Sequence, residues 1–316
     1  MERRVIMEMN NQPLVSVPVI TYNSAKFVLE TLESIKAQTY QNIELIISDD
    51  CSMDNTVEIC QKWVEQNKDR FVRTQIITSE TNTGVSANLN RAEAACQGDW
   101  VKGIAGDDLL MPKCVEECIK YISEYPNRHF IFGRLEAFNE DGVIDDYFKS
   151  FTDDTFFDLS AEEQYHRLIM KGNCLTTPTL LYHNLTKCVN KIENDESFAL
   201  FEDYPKWINI TKKNKKLYLL DSVIVRYRVN TTSISYGNSN PKFLRDKAQC
   251  YMKYCFNYEL RKFPRQAIYH YLFIKRYLHP NTCNSCMLVL YESLEKLYRL
   301  VFAAKPISKN YRRLYR

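Results

Sequence analysis

One pattern repeats through the first 110 residues and constrains the fold more than any other feature. A short apolar run ends in polar, mostly acidic, punctuation. Val15-Ser16-Val17-Pro18-Val19-Ile20 gives way to Thr21-Tyr22-Asn23. Ile43-Glu44-Leu45-Ile46-Ile47-Ser48 gives way to Asp49-Asp50-Cys51-Ser52. Trp100-Val101-Lys102-Gly103-Ile104 gives way to Ala105-Gly106-Asp107-Asp108. Such β-branched runs predict buried strands. In an open parallel sheet, ligands bind beyond the carboxyl ends of the strands. Three successive strands therefore deliver an amide and two acidic pairs to one rim, a place for a polyhydroxylated ligand with a divalent cation.

Helical spacing fills the intervals. Val28, Leu32 and Ile35 share one face, and so do Val57, Cys60 and Val64, Leu89, Ala92 and Cys96, and Val115, Ile119 and Ile122. Gln75–Thr78 and His129–Leu135 read as further strands. Pro112 suits the first turn of a helix. Strand and helix alternating four times predict an α/β layer structure with a mostly parallel sheet. Beyond residue 140 the pattern loosens. Asp141-Gly142 predicts a hairpin-type turn, and Ser160-Ala161-Glu162-Glu163 a capping box opening a helix to about Lys171. A short helix is expected around Pro205–Ile208. Leu217–Val229 reads as strand interrupted at Asp221-Ser222, and the chain from Pro241 onward as helices.

Charge divides the chain. Residues 241–316 hold 16 Lys and Arg against 4 Asp and Glu, a net +12. The first 240 hold 26 against 35, a net −9. The expected organisation is an acidic catalytic body, 1–240, with a basic helical extension, 241–316, that carries 15 of the 40 aromatic residues. An anionic membrane surface and a solvated helical face account equally well for that composition. Nucleic acid is not an expected partner, because the acidic body repels phosphate. Residues 1–11 carry no apolar stretch, no run of about 18 apolar residues follows, and the eleven Cys are odd in number. The expected location is therefore a reducing cytoplasm, with peripheral contact on the inner face of the cytoplasmic membrane left open. Cys283-Asn284-Ser285-Cys286 lacks the second pair a zinc site needs.

Several segments together resemble the inverting family 2 glycosyltransferases, which have the GT-A nucleotide-sugar fold. They are Leu14–Asn23, Ser34–Tyr40, Asp49–Thr56, Asn82–Ser86, Asn88–Ala92 and Gly106–Asp108, in one collinear order. The resemblance implies a Rossmann-like, mostly parallel sheet flanked by helices; the helical C-terminal extension lies outside the resemblance. It implies that Thr21, Tyr22 and Asn23 line a nucleotide pocket, that Asp50 accepts from the base, and that Asp107 meets the ribose. Gly84 would let the backbone approach the donor, with Asn88 and Arg91 on the next helix facing it, although Arg91 reads equally well as a solvated helix residue. Asp108 is implied as the ligand of Mg²⁺ or Mn²⁺, hard cations that suit carboxylate and diphosphate oxygen. Ala105 stands where the family often has another Asp, which thins the metal shell.

Phe201-Glu202-Asp203-Tyr204 resembles the family's acidic base motif. Asp203 is the first expectation for the base and Glu202 the second; stabilisation of a helix N-terminus is the structural alternative. Arg226–Ser235 resembles a late motif, with Asn230 where a His is usual, and Arg228 is then expected to hold the diphosphate. The whole implies transfer from a nucleotide-sugar donor, a UDP-sugar first, to a saccharide or lipid-linked acceptor in surface polysaccharide or lipopolysaccharide assembly. The alternative is a catalytically impaired nucleotide-sugar or glycan-binding protein with the same fold. No Gln-x-x-Arg-Trp motif is present, which argues against a processive synthase.

Overall fold

The computed structural model describes residues 12–145, 153–184, 193–229, 240–264, 267, 268, 270, 271 and 274. Asn230 to Ser235, Cys283, Cys286 and most of the basic extension lie outside the described residues.

In chain order the elements are β1 (Val15–Thr21), α1 (Val28–Lys36), β2 (Ile43–Asp49), α2 (Thr56–Asn67), β3 (Arg73–Thr78), α3 (Val85–Ala94), β4 (Trp100–Val101), β5 (Ile104–Ala105), β6 (Leu109–Leu110) and α4 (Cys114–Glu124). There follow β7 (Phe130–Asn139), β8 (Gly142–Val143), α5 (Thr155–Asp158), α6 (Ala161–Lys171), β9 (Leu180–His183), α7 (Asp203–Lys212), β10 (Tyr218–Arg228), α8 (Pro241–Cys250) and α9 (Phe256–Lys262). The strands form one sheet in the order β3-β2-β1-β4-β9-β7-β10-β6, with β5 also against β1 and β8 against β7. Its first half is parallel, as expected. Its second half is mixed: β9 runs antiparallel to both β4 and β7, and β6 antiparallel to β10.

The expected strand Trp100–Ile104 is split, and β1 supplies the reason. The Ser16 and Ile20 carbonyls accept from the Lys102 and Gly106 N–H groups, so even-numbered residues of β1 face this neighbour. Pro18 lies between them and has no N–H to give. The ladder is interrupted there, and β4 and β5 pair with β1 on either side of it. The break expected at Asp221-Ser222 is real: the β10–β7 register shifts between Leu219 and Val223 and again before Val225.

Alternation along the strands feeds two cores. Val15, Val17, Val19, Leu45 and Ile131 face one, with Leu32, Ile35 and Trp63 of the covering helices. Val101, Phe130, Phe132 and Leu180 face the other, with Leu168 of α6 and Trp207 of α7. Side chains of successive strand residues point to opposite faces, so a sheet covered on both sides needs both sets apolar. Ala248 and Cys250 of α8 also join the second core. The capping box forms as predicted, with Ser160 and Glu163 exchanging bonds at the start of α6. Among the described residues, no helix is long and apolar enough to cross a membrane.

Candidate active site

The carboxyl ends of β1, β2 and β5 meet at one rim, held by short side-chain bridges. Asp49 accepts from Thr21 Oγ1 at 2.7 Å and from the Ser52 N–H at 2.8 Å. Asn23 sits at φ 50°. Its N–H donates to Ser52 Oγ at 2.8 Å, and its side-chain oxygen accepts from the Met53 N–H at 2.8 Å. Thr21 and Asn23 therefore fix the rim, while the Tyr22 ring is 49% exposed beside them. Gly106 carries the acidic turn past this corner. A Cβ there would meet Thr21 Cγ2 at 2.8 Å, so any side chain would push the turn away.

Asp50 is the hub of a clamp. Its Oδ2 accepts from the N–H groups of Thr83 at 2.9 Å and Gly84 at 2.7 Å. Its Oδ1 accepts from Thr83 Oγ1 at 2.6 Å and Arg91 Nη2 at 3.0 Å. Burial raises its pKa, but these donors outweigh burial and hold it below the usual carboxylate range. A carboxylate has about four acceptor positions, and all four are taken inside the protein. A base N–H would have to displace one of them. Asn88 is likewise engaged: its Oδ1 accepts from Ser48 Oγ and Arg91, and its amide donates to the Thr21 carbonyl. Arg91 belongs to the same clamp.

Gly84 (φ 91°) is needed for a different close approach from the one expected. A Cβ on it would lie 2.8 Å from both Cβ and O of Ala199. Val85 N–H donates to the Ala199 carbonyl at 2.8 Å, and Ser86 Oγ to that of Phe198. The start of α3 thus grips the segment that leads into Glu202 and Asp203.

Asp107 and Asp108 differ in setting. Asp108 is 1% exposed, and its Oδ1 accepts from the Arg228 N–H at 2.9 Å; Asp107 is only partly buried. Burial, then the neighbouring Asp107 charge, pushes the Asp108 pKa well up against the pull of the Arg228 N–H, Lys102 and the Arg228 guanidinium. Burial raises Asp107 too, opposed by its own N–H and by Arg228. The rim presents Asp107, with Asp108 behind it.

Arg228 corrects a sequence expectation. Its guanidinium was expected to hold a diphosphate. Instead Nε donates to the Asp107 carbonyl at 2.8 Å and Nη2 to Glu30 at 2.8 Å, and the group lies over the rings of Phe27 and Phe138. At 6% exposure it is a buried brace for the acidic turn. Glu30 lies on another element, 198 residues away, so local sequence gave no sign of the pairing.

Glu202 and Asp203 open α7. Asp203 Oδ2 accepts from Asn173 Nδ2 at 2.7 Å and from Thr177 Oγ1 at 3.5 Å, and its Oδ1 from the Tyr204 N–H at 2.6 Å. Burial raises its pKa against those three donors. Burial and then the Asp203 charge push Glu202 up to about 7, opposed by its own N–H and Lys206. Asn173 and Thr177 escaped the sequence reading, having no local signature. An acid pair whose pKa values burial raises, oriented by fixed donors, suits proton transfer.

Residues 16–173, half of the chain, match the family described as glycosyl transferase family 2. The chain belongs to that family. It is 33% identical over 135 residues to EpsE of Bacillus subtilis, whose own assignment as a glycosyltransferase is provisional. That match covers 43% of this chain and 48% of EpsE, so the chain spans about half the length of that relative. Among solved structures it resembles residues 1–349 of Staphylococcus aureus TarS in complex with UDP (TM-score 0.58, 19% identity, 94% of this chain and 95% of that one). It also resembles the mannosyltransferase PcManGT of Pyrobaculum calidifontis in complex with GDP-Man and Mn²⁺ (TM-score 0.54, 16% identity, 94% and 77%). These likenesses establish the GT-A fold expected from the sequence.

Proposed function

We propose that the protein is an inverting glycosyltransferase that moves one sugar per binding event from a nucleotide-sugar donor, a UDP-sugar first, to a saccharide or lipid-linked acceptor. Surface polysaccharide or lipopolysaccharide assembly is the setting the sequence resemblance implies. The observation that carries the reading is that the Asp50 clamp and the Asp107-Asp108 turn share one rim, and that the start of α3 grips the segment leading into the Glu202-Asp203 pair. Gly84, which donates to Asp50, packs directly on Ala199 of that segment.

The nucleotide lies on the rim, with Tyr22 offering the exposed ring on which a base stacks. Asp107 and Asp108 fit Mg²⁺ or Mn²⁺ as the protein's share of a shell completed by the diphosphate. Among the described residues no cluster of three or more His, Cys, Asp or Glu could hold a metal unaided. Mg²⁺-type sites commonly use one or two carboxylates plus substrate phosphates. The resemblance gave the ion to Asp108 and the ribose to Asp107; because Asp108 is buried and Asp107 is on the open side, Asp107 would be the ligand that reaches the ion, with Asp108 behind it. The ion, when bound, neutralises charge on the leaving diphosphate. Asp203, held by Asn173 and Thr177, takes the proton of the acceptor hydroxyl as that oxygen attacks the anomeric carbon from the face opposite the diphosphate. A positioned base contributes about 10²–10⁴-fold.

Calorimetry with UDP, GDP and dTDP, each with Mn²⁺ or with chelator, tests the donor half of this reading. Binding that requires the ion and weakens at least tenfold in Asp107→Asn supports it. Equal binding by the variant sinks the metal assignment.

Membrane contact is the second part of the proposal. Leu260, Phe263, Ile268 and Tyr271 are exposed near Arg261 and Lys262 in the basic extension. Apolar and basic groups side by side suit an anionic bilayer surface. Flotation with phosphatidylglycerol vesicles, but not with neutral ones, is the expected result; no flotation removes this part.

A further inference from the structure

Strands β7 and β10 carry a strip of polar floor between α7 and the acidic turn. Even-numbered residues of β7 share this face. At one end Phe132 meets Trp207 of α7 edge-on, with ring centroids 5.1 Å apart. Asp203 lies one helical turn before Trp207, on the same side of α7. Thr177, which donates to Asp203, belongs to the short turn Thr177–Thr179, and that turn packs against both strands. At the other end the Arg228 guanidinium, which braces the Asp107 carbonyl, lies 4.5 Å from the centroid of the Phe138 ring. Six residues of strand separate the two ends, about 20 Å, which is room for a sugar.

Two charged rungs occupy the strip, and they differ. Arg134, nearer α7, is fully answered: Nε donates to Asp221, and Nη1 and Nη2 donate to Asp154 at 3.2 and 2.8 Å. Arg226 and Glu136, nearer the acidic turn, stand opposite each other on β10 and β7. Arg226 also pairs with Leu109 of β6, two residues along the chain from Asp107. Its Nε donates to Glu136 Oε1 at 2.8 Å, and its guanidinium lies 4.5 Å from the centroid of the same Phe138 ring. Both side chains of the pair are 35% exposed. Among the described residues, Arg226 Nη1 and Nη2 and Glu136 Oε2 make no further hydrogen bond.

We propose that Arg226 and Glu136 form the acceptor subsite, and that the group they recognise is a neutral sugar with two adjacent hydroxyls. The proposal rests on the transferase reading above, in which the acceptor lies between Asp203 and the diphosphate. A hydroxyl can donate and accept, a guanidinium only donates and a carboxylate only accepts. Arg226 Nη therefore donates to one hydroxyl oxygen, while Glu136 Oε2 accepts from its neighbour. The guanidinium is already held at Nε and against the Phe138 ring, so little freedom is lost on binding. The carboxylate beside it repels an acceptor phosphate or carboxylate from the same place.

The test is an NMR titration of the full chain with methyl β-glucoside, methyl β-galactoside, methyl α-mannoside and methyl β-glucuronide, with and without UDP and Mn²⁺. At least one neutral glycoside should bind, and the glucuronide should bind more weakly than the glucoside. Loss of a hydrogen bond to a charged group should weaken that glycoside about tenfold in Arg226→Met and in Glu136→Gln. Calorimetry with UDP should give the wild-type affinity in both variants, and their thermal midpoints check the fold. Equal glycoside binding in wild type and a folded Glu136→Gln overturns the proposal. So does a wild type that binds none of the neutral glycosides, or one that prefers the glucuronide. Glycoside binding that depends on Arg226 and Glu136 in a chain that binds no UDP would support the sugar subsite and strike the transferase reading.

Discussion

Lys206 Nζ lies 2.8 Å from Glu93 Oε1, an ion pair enclosed between α3 and α7 with side-chain exposures of 5% and 7%. It ties α3, which opens beside the Asp50 clamp, to α7, which opens at Glu202 and Asp203. Removing one partner of a buried pair typically costs about 3–5 kcal/mol, because the other charge is left without compensation. Lys206→Met is therefore expected to lower unfolding free energy by about that amount in urea titrations, with much of it regained in Lys206→Met/Glu93→Leu. A single-variant loss below about 1 kcal/mol would mean the pair is solvated.

Arg228 is expected to act through stability rather than donor affinity. Arg228→Met removes the bonds to the Asp107 carbonyl and Glu30 and the contacts with Phe27 and Phe138. A loss of about 2–3 kcal/mol follows from a charge-assisted bond and a desolvated cation–π contact. Differential scanning calorimetry checks it. Unchanged stability with a raised donor KM would return Arg228 to the diphosphate.

Cys51 adopts φ 67° in the loop after β2. The left-handed region costs a residue with a Cβ about 1–2 kcal/mol, and glycine restores some of that as unfolded-state entropy. Cys51→Gly should raise stability by about 0.5–1 kcal/mol. A fall in the thermal midpoint would show that the Cys51 Sγ contact with the Glu80 carbonyl matters more than the strain.

Glu202 makes stability depend on pH in a direction opposite to most carboxylates. The folded protein holds its proton up to about 7, whereas the ordinary value is 4.5. Between those values the native state binds more protons than the unfolded one, so stability falls as pH rises. Glu202→Gln stays neutral throughout. It should raise the thermal midpoint over wild type at pH 8 and leave it nearly unchanged at pH 4. An equal difference at both pH values would contradict the shift.

The punctuated strands and the acidic pairs were legible in the sequence because both signals are local. Asp50, Asp107, Asp108, Glu202 and Asp203 each follow or precede an element whose own residues announce it. The bracing was not legible. Arg228 meets Glu30, Gly84 meets Ala199, and Asp246 meets Leu200 only after the sheet has brought distant segments together. The antiparallel β9 was missed for a related reason: Leu180–His183 is four residues long, too short to show a period. Ala105 gave the opposite lesson, since a missing carboxylate is visible in sequence but its consequence depends on how Asp107 and Asp108 face the rim.

The most direct measurement of the central claim is sugar transfer from a panel of UDP-, GDP- and dTDP-sugars, read as nucleoside diphosphate release with Mn²⁺ or chelator. Wild type, Asp107→Asn and Asp203→Asn are run together. The account predicts ion-dependent release from one donor class, reduced at least 10²-fold in Asp203→Asn while nucleotide binding survives, and reduced together with binding in Asp107→Asn. Release at the wild-type rate in Asp203→Asn would contradict it.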